Sequence, residues 1–168
     1  MKYFGFFTGL VSIVLAGLPA MGQEELRWFG NADTDHRLRL SEGNPWSWNQ
    51  TRLDLSLEKK FESKSRFFGN IWLQSFGFNE EAGIIRSPEL REAGFEVYDF
   101  LIKGLDLKAG RQRIKWGTAD KLNPTDNLNP CDLEDIWDFG RHLGSDAIDL
   151  KYYHKDLKIE AVFIPYFR

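Results

Sequence analysis

Between residues 51 and 61 the chain alternates with period two: Leu53, Leu55 and Leu57 are separated by Arg52, Asp54, Ser56 and Glu58. The rhythm returns where Ile148, Leu150 and Tyr152 alternate with Asp149, Lys151 and Tyr153, and where Leu157, Ile159, Ala161 and Phe163 enclose Lys158 and Glu160. Successive side chains of a strand point to opposite faces, so this pattern predicts strands with one apolar and one polar face. Helical periodicity is scarce. Strands are predicted near 25–40, 51–62, 66–78, 90–102, 105–117, 147–154 and 157–167. Gly30 and the polar run Asn31–His36 make the first of them the least regular.

The links carry more information than the strands. Ser63-Lys64-Ser65, Lys103-Gly104 and Lys155-Asp156 are of hairpin length, whereas 41–50, 79–89 and 118–146 are long. Short and long links thus alternate, as they do in transmembrane barrels with short periplasmic turns and long outer loops. Each strand is also close to the roughly 9–11 residues that a tilted strand needs to cross a bilayer. The predicted fold is therefore all-β, an antiparallel up-and-down meander forming the N-terminal part of a transmembrane β-barrel that is incomplete and open in this chain. Leucine rows would face lipid, and rows of Asp, Glu, Lys and Arg the watery interior. A secreted soluble β-sandwich that binds carbohydrate through Trp and Tyr platforms gives the same alternation with the faces renamed, and it is the alternative reading. An eight-stranded membrane enzyme or adhesin is a third, weakened by a count of seven strands where single-chain bacterial barrels have even numbers.

One strand breaks the pattern. The face carrying Leu105, Leu107 and Ala109 continues as Arg111, Arg113 and Lys115. Three charges against lipid would each cost about 2–4 kcal/mol at the midplane. Either a bulge near Gly110 exchanges the faces or that whole side points into the lumen, and the bulge is the expected solution because glycine interrupts the strand at the point of conflict.

The N-terminus reads as an address. Lys2 precedes an uncharged run from Tyr3 to Ala20, and Ala20-Met21-Gly22 offers small residues for cleavage before Glu24 and Glu25 restore charge. Residues 1–22 are therefore expected to be a cleavable signal peptide for Sec export and 23–168 the mature barrel segment. A retained N-terminal anchor competes with this reading, since the uncharged run is nearly long enough to span a bilayer. No later stretch suits a transmembrane helix. The expected location is the outer membrane, with its lipid and small solutes as partners. Aromatic residues (14 Phe, 6 Trp and 5 Tyr) accompany 28% charged residues, a combination that suits a wall between lipid and water. The net charge of −3 over 168 residues leaves no basic footprint for nucleic acid.

Chemistry of other kinds finds little support. The single cysteine, Cys131, excludes an intramolecular disulfide framework and a cysteine-built zinc cluster. His36, His142 and His154 lie on different elements without metal-ligand spacing, and 120–138 lacks the spacing of a calcium loop. There is no nucleophile elbow, phosphate loop or dinucleotide fingerprint. No catalytic residue, metal or cofactor is expected.

The most distinctive text runs from 105 to 146. Arg111, Arg113 and Lys115 share a face, and the following loop holds Asp120, Asp126, Asp132, Glu134, Asp135, Asp138 and Asp146 against only Lys121 and Arg141. Asn123-Pro124 and Asn129-Pro130 stiffen the loop. Folded inward, it would narrow a lumen and set acids across from the basic row, selecting solutes by charge and orientation. Arg111, Arg113, Lys115, Asp120, Asp126, Asp132, Glu134 and Asp135 are accordingly the candidate pore-lining residues. An ordinary surface loop over structural ion pairs is the competing explanation.

Gly110-Arg111-Gln112, Trp116-Gly117, Asn123-Pro124, Asp126, Asn129-Pro130 and the later FIPYFR form a pattern that resembles a porin-like outer-membrane family of unknown function in Gram-negative bacteria. The resemblance is specific over about 91–168 and diffuse over 23–90. It implies a signal peptide and a large β-barrel of which this chain is the N-terminal part, and it attaches no catalytic role to any residue.

Overall fold

The computed structural model describes residues 6–16, 26–39, 46–61, 64–77, 84–85, 87–116, 127–133 and 141–167, and among them there is no helix. The strands are β1 (Phe6–Ala16), β2 (Leu26–Arg39), β3 (Trp46–Phe61), β4 (Ser65–Gly77), β5 (Ile84–Ile85), β6 (Glu89–Val97), β7 (Leu105–Gln112), β8 (Ser145–His154) and β9 (Leu157–Phe163). They follow one another in the sheet as β1-β2-β3-β4-β6-β7-β8-β9, with β5 attached to β4. This is the up-and-down meander that the alternation predicts. Among the described residues β1 and β9 are its two edges and do not pair, so the sheet is open.

All seven predicted strands are present, with shifted ends. Two more appear: β5, and β1, in which the uncharged N-terminal run pairs antiparallel with β2 from Phe6↔Arg39 to Ala16↔Phe29. The alternation of links is looser than expected, because 40–45 is short and the link between β6 and β7 spans 98–104 instead of two residues.

The chain divides into two compact units. The first comprises 1–20, 27–57 and 70–90. In it Arg52 pairs with Asp33 at 3.2 Å and stacks 4.4 Å from the Trp72 ring centre, while Asn70 donates to Asp54 and, at 2.8 Å, to the Ser56 hydroxyl. The intervening positions Ile71 and Leu73 are exposed.

The second unit comprises 21–26, 58–69 and 91–168. Here β6, β7, β8 and β9 form an unbroken antiparallel series of neighbours. The register runs without interruption from Leu105↔Tyr152 to Gln112↔Ser145, which overturns the expected bulge. Arg111 stays on the face of Leu105, Leu107 and Ala109 and is neutralised there by Asp146, its direct cross-strand neighbour, at 2.9 Å. The faces do not exchange; an ion pair stands where the bulge was expected.

Gly110 has a different task. Its φ is +121°, and a Cβ there would run into the Ala93 carbonyl and lie 2.7 Å from the Gly94 Cα. Glycine is what lets β6 and β7 approach at this point. Gly110→Ala is expected to cost about 1–3 kcal/mol, measured as a lower urea midpoint with an unchanged slope.

The link 98–104 is held by side chains that capture its backbone. Asp99 accepts from the Gly104 N–H at 2.7 Å and from Lys64, and Asp106 accepts from the Asp99 N–H at 3.1 Å. The Tyr98 N–H donates to the Lys64 carbonyl at 2.9 Å, and the Tyr153 N–H to that of Gly104 at 2.8 Å, which ties this link to both neighbouring turns. The Gly104 N–H, followed by the Lys64 ammonium, holds the Asp99 carboxyl below the ordinary aspartate range. A depressed folded pKa stabilises the turn above the unfolded value, and that contribution is lost as pH falls through the folded one. Protection of the Gly104 amide from exchange is expected to persist from neutral pH to about 4 and to drop below it. Asp99→Asn should remove the pH dependence.

Candidate functional site

Cross-strand register in the second unit assigns residues to faces. Lys108 lies opposite Glu96 on β6 and Asp149 on β8; Lys151 lies opposite Asp106 and Glu160. These residues share one face, and Arg66 on β4 joins them through Glu96 at 2.9 Å and through Glu58 on β3 at 3.2 Å. Lys151 contacts Asp149 at 2.8 Å and Glu160 at 3.6 Å, and Lys158 contacts Glu160 at 2.8 Å. The result is a ladder of alternating sign from β3 to β9. Opposite charges placed directly across strands are the favourable arrangement, each worth a fraction of a kcal/mol where exposed and more where water is excluded.

The other face is apolar and open to the surroundings. Phe67, Phe95, Ile148, Ile159 and Phe163 are all exposed, Ile148 at 43% and Phe163 at 62%. Burial is therefore inverted. The described residues that are buried are chiefly polar: Gln50, Ser65, Gln74, Arg91, Gln112, Asn129, Asp132, Ser145 and Asp149, against Trp48, Ile114 and Ala147 among the apolar ones.

Part of the polar face is covered by 113–116 and 127–129, the described pieces that follow β7. Trp116 hydrogen-bonds to Glu160 in the middle of β9, and the Ser145 hydroxyl donates to the Leu128 carbonyl at 2.6 Å. Asn129 accepts from the Ile114 N–H at 3.0 Å and donates to the Ile114 carbonyl, replacing a strand partner for that residue. The described parts of the link at 113–116 and 127–129 thus fold over the polar face. Beneath them Gln112 is 1% exposed and donates to the Ala147 carbonyl at 3.1 Å, and Asp149 is 2% exposed.

The chain returns as a ribbon. The Asp132 N–H donates to the Arg141 carbonyl and the Leu143 N–H to that of Pro130, both at 2.8 Å, around a Cys131↔His142 bridge. The Asp132 carboxylate is buried between Arg91 at 3.0 Å and Arg141 at 2.7 Å, and Arg91 also donates to the His142 carbonyl at 3.3 Å. Gly144 is needed for this seating, since a Cβ there would come within 2.7 Å of the Arg91 carbonyl.

The residues singled out from sequence separate into groups. Asp120, Asp126, Glu134, Asp135, Asp138, Gly117, Asn123 and Pro124 lie outside the described residues. Arg111 meets the expected acidic loop at Asp146, on the apolar face and away from the ladder. Asp132 is claimed by Arg91 and Arg141. Lys115 and Trp116 are exposed beyond the end of β7, with Trp116 reaching Glu160. Gln112, Asn129 and Pro130 bind backbone groups of the loop and its strands. Gln112, Trp116, Asn129 and Pro130 thus hold the described parts of the link against the polar face, and the ladder of Glu58, Arg66, Glu96, Lys108, Asp149, Lys151, Glu160 and Lys158 supplies the charge. Those residues were visible in sequence only as polar members of alternating rows.

Among the described residues no group of His, Cys, Asp and Glu is arranged to hold a metal ion. No family model matches the chain, and no curated protein or solved structure is significantly similar to it.

Proposed function

We propose that the chain forms the N-terminal part of a porin-like outer-membrane β-barrel, similar to the Gram-negative family that 91–168 resembles, and passes small solutes along a charged lumen. Residues 1–22 serve as its export signal. The observation that carries this reading is the inverted burial among the described residues: Leu57, Phe67, Ile71, Phe95, Ile148 and Phe163 on the apolar face are exposed, while the charged face is ion-paired and partly covered. A sheet that packs on a second sheet in water buries its leucine and isoleucine rows. A barrel wall does the reverse, with apolar side chains against lipid and polar ones inside. The inward course of 113–116 and 127–129 then narrows the lumen next to the ladder, where fixed charges act on passing solutes at close range.

The test is made on the full-length protein. It should fractionate with outer membranes, migrate differently on gels before and after boiling, and conduct in planar bilayers. Recovery as a soluble periplasmic protein, with the same mobility heated or unheated, would overturn the reading.

A further inference from the structure

The apolar face of the second unit changes character toward the turns that follow β3, β6 and β8. Those turns lie at one end of the sheet, because the Tyr98 N–H donates to the Lys64 carbonyl and the Tyr153 N–H to that of Gly104. Along β8 the face reads Ile148, Leu150, Tyr152 and His154, and the last two rings stack with centres 6.4 Å apart. On β3, Glu58 joins Arg66 on the polar face, which puts Lys59 and Phe61 on the apolar one. Phe61 meets Phe95 at 6.2 Å between ring centres, and the Lys59 ammonium lies 5.1 Å from the centre of the Phe61 ring. After β6 the turn exposes Leu101, at 83%, followed by Ile102 and Lys103. Charge on this part of the face has one sign. Among the described residues of the second unit, its rows carry no aspartate or glutamate from Ala109 and Ile148 down to the turns. The first acid, Asp146, lies at the far end and is held by Arg111. In the turns themselves, Asp99 is taken by Lys64 and the Gly104 N–H, and Asp156 follows Lys155.

Aliphatic side chains thus give way to rings, and rings to cations. A phospholipid leaflet presents the same order from its tails to its phosphates, where amphipathic rings settle and lysine stems reach outward. We propose that this end of the face docks anionic phospholipid, with phosphate groups at Lys59 and Lys103 and the roots of the acyl chains against Phe61, Phe95 and Tyr152. A zwitterionic headgroup brings its phosphate already matched by its own cation. A headgroup of net negative charge leaves that match to the protein, so it is the one the lysines favour. Leu101 fits the same setting. Its φ is +63°, a conformation that a bulky side chain rarely adopts, and the turn holds it through the Ile102 N–H on the Phe100 carbonyl at 2.8 Å. In water the strained turn would leave a leucine uncovered, whereas in the headgroup layer it buries apolar surface.

This inference rests on the reading of the sheet as a barrel wall, and its test separates the two. The full-length protein is placed in phosphatidylcholine vesicles with a trace of spin-labelled phosphatidylglycerol or of spin-labelled phosphatidylcholine. Electron spin resonance then measures the fraction of each label slowed by contact with the protein. Phosphatidylglycerol is expected to be preferred roughly twofold to fivefold at low salt, and the preference should shrink at high salt. Lys59→Gln combined with Lys103→Gln should bring it close to one. Lys103→Gln alone, in an exposed turn, should lower it in part, and it serves where the double variant fails to assemble. Slowed fractions of equal size for the two lipids would overturn the docking belt and leave the barrel standing. A preference that the substitutions leave intact would also overturn it, because the anionic lipid then sits elsewhere. No slowed lipid of either kind would overturn both readings.

Discussion

Replacing Asp132 by alanine is expected to destabilise the fold by about 3–5 kcal/mol, because it takes away the buried carboxylate that the Arg91 and Arg141 guanidinium groups share. Asp132 is 3% exposed at its side chain, and Arg91 and Arg141 are nearly as covered at 7% and 9%. The three come from β6, from the ribbon before β8 and from its return strand, so losing the acid releases the whole ribbon from the sheet. Asp132→Asn keeps the shape and one acceptor but lacks the charge, and it should fall between wild type and alanine. The measurement is the urea midpoint of the folded protein, accompanied by protease cleavage between 127 and 144. Substitutions at exposed charges stay within about 0.5 kcal/mol. A loss of that size at Asp132 would mean that the ribbon is not seated as described.

Ile148→Arg separates the two environments that an alternating sheet can occupy. Ile148 lies on the apolar face between Ala109 of β7 and Phe163 of β9, and it is 43% exposed. In a bilayer an arginine at the midplane of that face costs about 2–4 kcal/mol. In water the same change at a half-exposed position stays within about 0.5 kcal/mol. Unfolding by urea from lipid vesicles is expected to show the large loss, together with less of the compact form that migrates differently before boiling. Asp149, one residue along, serves as the internal comparison. It faces the ladder and contacts Lys151, so Asp149→Asn should weaken that pair in either environment.

The strands were legible because period-two alternation needs no knowledge of partners. Leu53, Leu55 and Leu57, or Ile148 and Leu150, announce a face by themselves. Ends were less legible, because they are set by side chains acting from a distance. Strand β7 stops at Gln112 because Asn129 takes the N–H and carbonyl of Ile114. Strand β6 stops at Val97 because Asp99 and Asp106 fold the following backbone into a turn. The bulge at Gly110 failed for a related reason: the charge of Arg111 has its answer on the neighbouring strand at Asp146, and register is not written in either segment alone. The candidate site was half legible. Asp149–Lys151 and Lys158–Glu160 are two residues apart and could be read as neighbours on one face, whereas Arg66 with Glu96 and Arg91 with Asp132 join segments 30 and 41 residues apart. The seating of 113–116 and 127–129 on the polar face rests on contacts at Trp116, Leu128 and Asn129 that no spacing rule supplies.

The order of the strands also sets a timetable for assembly. Each of β6, β7, β8 and β9 pairs with its neighbour in sequence, so hairpins can be added one at a time with little chain entropy to overcome. The exception is the joint between β7 and β8, whose link spans 113–144. Closing it costs more entropy than closing the turn at 155–156, by an amount that grows with the logarithm of loop length. The β8–β9 hairpin should therefore form early and β7 join it late. The bonds of Asn129 to Ile114 and of Asp132 to Arg141 shorten the effective loop and bring the two strands within reach. On this view Asn129 and Asp132 govern the rate at which the sheet is completed as much as its final shape.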